Sequence, residues 1–367
     1  MSAPAKDHST AGGAEFPVIS PVNVIWPVAL GLTVVLVIAW ITWDRETMSQ
    51  LQILIDPVLL SAAVGTLFVR VLFGGWRLSF ISRHRLGFWE GIRGQLAWDF
   101  SSNITPSVVG GAPLTAYYLV RESRVEDGPR VRLGEATALM TYIMLLDQVW
   151  FAMSVPAILV AVGFMEVIPS NIGMFGTWSI IAYLVGLMAY TGLFAYGTLF
   201  HPEMLGRVIN RIFRLPLLRR FKDRVESEMD EFIDRVGTLR SQPADFFGRA
   251  MLLTAGTWIA RYALVVFIIW SFVPNVDQIL VFMRSIAMTM GSLVMPTPGG
   301  AGGIEGLYAL FFGPVLPDKA LLAPSLLIWR ILGYYIFLAF GISISTRHIQ
   351  KTVLKRQSTP SPDADES

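Results

Sequence analysis

The chain has 367 residues, of which 53% are hydrophobic and only 15% charged, and its formal net charge is +2. Because soluble domains average about 25% charged residues, this composition excludes an ordinary soluble protein and predicts a polytopic membrane protein. The sequence contains no cysteine, and its four histidines (His8, His84, His201 and His348) are scattered, so we expect no disulfide, metal site or cofactor.

The first half of the chain begins with a polar tail over residues 1–20, which we expect to be disordered. The apolar segment that follows is predicted to be a retained helix and not a signal peptide, because no basic region precedes it and no small-residue cleavage site follows it. The apolar or semi-apolar segments of this half (about 22–162) cover residues 22–43, 53–73, 86–104, 114–120 and 134–162.

The second half (about 178–345) resembles the first in its order of segments, and together they form one membrane domain over residues 21–345. Its apolar segments cover residues 178–200, 246–272, 276–294, 307–312 and 321–345. Residues 346–367 are predicted to be a cytoplasmic tail.

A basic segment over about residues 202–241 lies between the apolar segments 178–200 and 246–272. Its apolar residues recur every three or four positions, which is typical of an amphipathic helix that lies on the membrane or on the protein's own cytoplasmic face. A helix that binds a partner is the alternative. The stripe consists of Leu218, Phe221, Val225, Met229, Phe232, Val236 and Leu239.

The loops differ in their content of Lys and Arg, which predicts the orientation because cytoplasmic loops carry an excess of both. The basic segments are 77–93, 121–132, 201–242 and 347–356. Placing them inside predicts about six spanning helices, with both termini on the cytoplasmic side of the cell (inner) membrane. Residues 86–120 and 276–319 then each begin and end on one side, so we expect two hairpins that enter the membrane from opposite faces.

Both hairpins are interrupted by a proline followed by a Gly-Gly pair. Proline lacks a backbone donor and glycine is conformationally permissive, so no continuous helix is expected there. Breaks in matching positions of two oppositely oriented halves indicate a transporter site near the membrane midplane. We therefore predict an all-α inverted repeat with two broken re-entrant hairpins; a surface loop is the alternative. The breaks contain Pro106, Gly110, Gly111 and Pro113, and Pro296, Pro298, Gly299, Gly300 and Gly303.

Each break is expected to leave free backbone N–H groups at the positive end of the following helix. Such groups bind anions, among them phosphate. The alternative is that the glycines only permit close packing of helices in the membrane.

Six ionisable residues fall inside the predicted spans or hairpins: Asp99, Asp147, Arg261, Arg284, Glu305 and Arg330. A charge at the centre of a bilayer costs roughly 2.5–3.5 kcal/mol on insertion scales, so internal pairing is expected.

The functional hypothesis gives a lipid phosphate to the arginines and a proton to Asp147 or Glu305. The alternatives are that Glu305 caps its own helix and that Arg261 and Arg330 are structural counter-charges. The hydroxyls of Tyr334 and of its neighbour Tyr335, and those of Tyr117 and Tyr118, are further candidates to line the path, although interfacial anchoring is the commoner role of Tyr.

Residues 295–300 (MPTPGG), with Gly303 and Glu305, resemble the P-x-P-G-G-x-G-x-x-E motif of the flippase-like transmembrane domain of lysylphosphatidylglycerol synthases and its stand-alone relatives. Here the glutamate follows Gly303 by two residues. Residues 105–113 are similar to that family's Pro-led G-E-x-x-R segment, with Ala112 and Thr115 in place of the acidic and basic residues. Residues 145–147 and 329–335 resemble its later helices.

The resemblance covers about residues 50–345 and implies lipid translocation. Only a short tail follows residue 345, so we expect the family's aminoacyl-transferase domain to be absent and do not expect lipid synthesis. The leading hypothesis is therefore a flippase, not an enzyme, that moves an anionic or phosphate-linked lipid between leaflets, with the head group between the two hairpins. Its partner is a membrane lipid and not a nucleic acid; association with a lipid-modifying transferase or with a second copy of the chain stays open.

Two other functions are compatible with the sequence. One is a non-transporting accessory subunit of a lipid-modifying transferase. The other is a membrane enzyme acting on lipid phosphates, for which the sequence shows no nucleophile or metal constellation.

Overall fold

The structure is a computed structural model that describes residues 22–46, 49, 55–105, 111–125, 128–129, 131–161, 167, 173–197, 222–293, 295 and 297–341. The predicted N-terminal and C-terminal tails and the basic start of the amphipathic segment lie outside these residues.

The described residues are almost entirely helical, which confirms the predicted all-α class. The helices are α1 (Val22–Ile41), α2 (Pro57–Ile81), α3 (Phe88–Ile104), α4 (Gly111–Glu122), α5 (Leu133–Ala161), α6 (Gly173–Ala195), α7 (Lys222–Arg240), α8 (Ala244–Phe272), α9 (Gln278–Ser292), α10 (Gly303–Phe312) and α11 (Leu322–Arg330). One π-helical turn, Ile331–Tyr335, continues α11. Two-residue strands, β1 (Arg124–Val125) and β2 (Gly128–Pro129), pair antiparallel after α4.

Four helical stretches among the described residues are long and apolar enough to cross a membrane: Pro57–Ile81, Leu133–Ser154, Ala244–Phe272 and Lys319–Gly341. Shorter apolar stretches occur in α1 and α6, at Ile25–Ile41 and Ile181–Ala195. The chain is therefore a multi-pass membrane protein, and the two shorter helices correspond to the remaining predicted spans.

The second helix extends further than its composition predicts. It begins where Asp56 accepts hydrogen bonds from the N–H groups of Val58 (2.8 Å) and Leu59 (3.3 Å), with Pro57 in the first turn. It ends at Ile81, whereas the sequence placed its end at residue 73. The placement of Arg77 in a cytoplasmic loop was therefore wrong, because its side chain lies inside the bundle with 3% of its surface exposed.

Both predicted hairpins consist of two helices that pack against each other, α3 with α4 and α9 with α10. With a rise of 1.5 Å per residue, α9 (15 residues) is about 22 Å long and α10 (10 residues) about 15 Å. Neither reaches the roughly 30 Å thickness of a bilayer core. The structure thus contains the two interrupted segments, while their re-entrant insertion and the inverted repeat stay predictions.

The core is built around α8, which packs along α2. Ile268 of α8 is fully buried in one apolar cluster with Tyr308 and Phe312 of α10 and Leu326 of α11. This cluster joins the second hairpin to the long helices of the bundle.

The amphipathic stripe packs on the protein itself where its side chains are described. Phe232 and Val236 of α7 contact Ala138 of α5, and Leu239 joins a second core cluster with residues of α2 and α5. Nε of the buried Arg235 lies 3.5 Å from Oε1 of Glu135. Burial lowers the pKa of Arg235 while Glu135 opposes that shift.

Glycines let α3 approach α2 closely. A Cβ on Gly75 would lie 2.7 Å from the backbone N and Cα of Ile92, whereas a Cβ on Gly65 of the same helix would meet no atom within 4 Å. We expect Gly75→Ala to lower the melting temperature of the detergent-solubilised protein, because α3 must move away.

The matched control is Gly65→Ala, which should leave the melting temperature unchanged or raise it, since Ala favours a helix over Gly by about 0.5–1 kcal/mol. Equal melting temperatures for the two variants would contradict this packing.

Candidate functional site

The second break contains glycines with positive φ. Gly299 (φ +59°) and Gly300 (φ +67°) adopt left-handed conformations that favour glycine. A Cβ on Gly299 would collide with the ring of Tyr334 and lie 3.2 Å from the backbone oxygen of Asn103, at the end of α3. The hydroxyl of Tyr334 also donates to that oxygen, at 3.5 Å. The second break therefore contacts the helix that leads into the first break.

A cavity of about 110 Å³ lies at this contact, large enough for several water molecules. Its walls come from α2, α3, α5, α8, α9, the second break, the start of α10 and the π-helical turn that continues α11. Eight neutral polar side chains line it: Gln95, Ser102, Asn103, Thr105, Thr257, Thr289, Ser292 and Thr297. Five ionisable side chains also line it: Arg70, Arg77, Asp99, Asp147 and Arg261.

Two ion pairs hold the arginines of α2 in this cavity. Arg70 pairs with Asp99 of α3, which also accepts a hydrogen bond from Gln95 at 3.2 Å. Arg77 donates to Asp147 of α5 at 2.5 Å. Pairing of this kind lowers the cost of keeping charges within a membrane helix bundle.

Asp147 connects this arrangement to α8. Its Oδ1 also accepts a hydrogen bond from Trp258 Nε1 at 2.8 Å. The guanidinium of Arg261 lies over the ring of Trp258, 5.3 Å from the ring centre, in a cation–π contact. One network thus runs from α2 through α5 to Arg261.

Arg261 is the arginine of the cavity that forms no ion pair with a carboxylate among the described residues. Three arginines and two aspartates line the cavity, so its ionisable groups carry a formal charge of +1. Since Arg70 and Arg77 are paired, this positive charge is located at Arg261. The cavity can therefore accept an anion.

Glu305 and Arg330 form a third buried pair outside the cavity lining. Arg330 donates to Glu305 Oε1 from Nε (2.8 Å) and Nη2 (2.5 Å), and to the Gly299 carbonyl oxygen at 3.3 Å. Glu305 Oε2 accepts from the N–H of Gly302 at 2.8 Å, so it caps α10 as the capping alternative predicted. Glu305 and Arg330 therefore hold the second break in shape.

The expectation of free N–H groups at the second break is wrong. The N–H groups of Gly300, Ala301, Gly303 and Ile304 all donate to carbonyl oxygens within the break, and Gly302 donates to Glu305. The carboxylate of Glu305 also places a negative charge at the start of α10. The Arg261 side chain is therefore a more favourable binding group for an anion than this helix terminus.

Among the predicted site residues, Asp147, Arg261, Gly299 and Gly300 line the cavity. The other predicted site residues that the structure describes are not among the lining residues. Gly111 packs on Ser102, Pro113 is exposed in the first turn of α4, Pro298 is buried in the break, and Gly303 begins α10.

Arg284 does not line the cavity either. It donates to the carbonyl oxygen of Phe311 at 3.0 Å, at the end of α10, where a cation is favourable. Pro106, Gly110 and Pro296 lie outside the described residues.

Sequence reasoning missed Arg70 and Arg77 as site residues. The two lie seven positions apart, which is about two turns, so they share one face of α2. That spacing was the available signal. It was overlooked because Arg77 was counted with the basic loop that follows.

Comparisons with known proteins identify a family of membrane proteins. The family described as "Lysylphosphatidylglycerol synthase TM region" matches residues 28–341. The chain is also similar to a protein named "UPF0104 membrane protein" from Archaeoglobus fulgidus, with 22% identity over 285 residues that cover 75% of this chain and 81% of the relative. No solved structure matches the chain.

Breaking the pair between Arg77 and Asp147 should destabilise the fold. Asp147→Asn leaves the buried Arg77 without its counter-charge, which costs about 3–5 kcal/mol of the free energy of unfolding. The double variant Arg77→Met, Asp147→Leu should recover much of that loss, because no buried charge remains. Denaturant unfolding in detergent measures both.

Arg249→Met is the control, since its pair with Asp245 is exposed on the same α8 that carries Arg261. The interpretation fails if Asp147→Asn is no more destabilising than Arg249→Met.

Proposed function

This chain belongs to the lysylphosphatidylglycerol synthase TM region family, and we propose on that premise that it is a flippase that moves an anionic or phosphate-linked lipid between membrane leaflets. In this proposal the protein is not itself an enzyme, and the lipid is its partner.

The observation that carries the proposal is the positive charge of Arg261, which forms no ion pair with a described carboxylate, in a polar cavity within the helix bundle. Arg70, Asp147 and Arg261 lie near the middle of α2, α5 and α8, which are long enough to span a membrane. An ionisable residue at that depth is, by default, a functional one. A guanidinium binds phosphate oxygens through charge-assisted hydrogen bonds.

The two aspartates of the cavity support a binding role over a chemical one. Each carboxylate is engaged by an arginine, and Asp147 is held by Trp258 as well. Held in this way, they orient Arg70 and Arg77 and keep the net charge of the cavity at +1. A bound phosphate would neutralise that charge.

The position of the cavity suggests how a lipid would cross. The cavity is too small for a whole lipid, so only part of the head group would enter while the acyl chains stay in the bilayer. Its walls include the second break and the end of α3, and these are joined by Tyr334. A rocking movement of one half against the other would change the leaflet to which the cavity opens.

The proposed orientation follows the distribution of basic residues. It places both termini in the cytoplasm and the protein in the cell membrane.

The proposal is tested by reconstitution in liposomes that contain a phospholipid with a fluorescent acyl chain and a net negative charge. Dithionite added outside bleaches the label as it reaches the outer leaflet. We expect wild type to move the label faster than protein-free liposomes do, and Arg261→Gln to reduce this rate about tenfold or more, through loss of a charged hydrogen bond.

Arg261→Lys keeps the positive charge and should retain much of the rate. Arg249→Gln removes an exposed arginine from the same helix and should match wild type. The proposal is rejected if wild type is no faster than protein-free liposomes, or if Arg261→Gln equals wild type.

A further inference from the structure

Six hydroxyl-bearing side chains line the cavity. They come from the end of α3, from α8, and from α9 with the second break, and they are Ser102, Thr105, Thr257, Thr289, Ser292 and Thr297. A phosphate bound to Arg261 does not need this many hydroxyl groups. The hydroxyls therefore indicate which chemical group is attached to that phosphate.

Five of these hydroxyls already donate their hydrogen to a backbone carbonyl oxygen. On α8, Thr257 donates to Leu253 at 2.9 Å, and on α9, Thr289 donates to Ser285 at 2.8 Å. Thr105, Ser292 and Thr297 do the same at 2.6–2.8 Å. A hydroxyl that donates in this way keeps its acceptor capacity. The walls of the cavity therefore offer acceptors, which a ligand would satisfy with donors.

Ser102 is the exception, since its buried Oγ has no hydrogen-bond partner among the described residues. A buried polar group without a partner costs about 1–3 kcal/mol. A ligand hydroxyl can both donate to Ser102 and accept from it.

The charges of the cavity decide which kind of donor fits. An ammonium group would also donate to the hydroxyls, but it would enter a site whose net charge is already +1. Both carboxylates of the lining are paired with arginines, so the described residues offer no unengaged counter-charge for an amine. Neutral hydroxyl groups meet the same acceptors without this repulsion.

Resting on the proposed function, we propose that the head group of the transported lipid is a phosphate bearing a neutral polyol, such as phosphoglycerol, phosphoinositol or a phosphosugar. The phosphate contacts Arg261, and the polyol hydroxyls donate to Thr257, Thr289 and their neighbours.

Transport of lipids that differ only in their head group tests this inference. Fluorescent phosphatidylglycerol, phosphatidic acid, phosphatidylethanolamine and an aminoacylated phosphatidylglycerol are compared in otherwise identical proteoliposomes. We expect phosphatidylglycerol to move about fivefold or more faster than each of the others, since one net hydrogen bond corresponds to about that factor. A polyprenyl-linked phosphosugar forms a second arm, and the assignment is supported if either polyol lipid moves faster than phosphatidic acid, phosphatidylethanolamine and the aminoacylated lipid.

Variants assign the preference to the cavity. Thr257→Val and Thr289→Val remove an acceptor at nearly constant volume, so the ratio of phosphatidylglycerol to phosphatidic acid transport should fall about fivefold, and Thr257→Ser should restore it. Thr66→Val is the matched control, because Thr66 is buried on α2 and donates to Ala63 outside the cavity lining.

The outcomes separate the two proposals. If no lipid moves, the flippase function itself is rejected. If lipids move at equal rates, if the aminoacylated lipid is preferred, or if Thr257→Val leaves the ratio unchanged, the polyol assignment is overturned while the flippase function stands.

Discussion

The structure depends on pairing charges inside a helix bundle that belongs in a membrane. Arg70 and Arg77 on one face of α2 hold Asp99 of α3 and Asp147 of α5, so two ion pairs tie three helices together. Unpaired, each of these charges would cost several kcal/mol at that depth. Because the paired arginines leave one further cation, Arg261, the same requirement that stabilises the fold also creates a place for an anionic ligand.

The second break shows how irregular backbone is tolerated in such a protein. The N–H groups of residues 300–304 are satisfied within the break and by Glu305, and Arg330 joins Glu305 to the carbonyl of Gly299. Tyr334 then connects the break to the end of α3. Backbone of this kind survives at membrane depth only where protein covers it or where it lines a cavity, and here both conditions hold.

Much of this architecture was predictable from the sequence because the signals are local. Apolar runs predicted the helices, and Pro and Gly predicted both interruptions. The partners of the charges were not predictable, since Arg77 and Asp147 lie 70 positions apart and meet only through tertiary packing. The end of α2 was misplaced because Arg77 resembled a loop residue. The expectation of free N–H groups was wrong, although the sequence held a signal against it. Glu305 follows Gly302 by three residues, which is the spacing of a capping box.

The central claim is that Arg261 holds the phosphate of a lipid between the second break and the end of α3. A cryo-EM structure of the protein in nanodiscs containing an anionic phospholipid tests it most directly. We expect density for a phosphate group within hydrogen-bonding distance of the Arg261 guanidinium, continuous with acyl chains that leave the bundle. A cavity that holds only water, with lipid head groups ordered elsewhere, would contradict the claim.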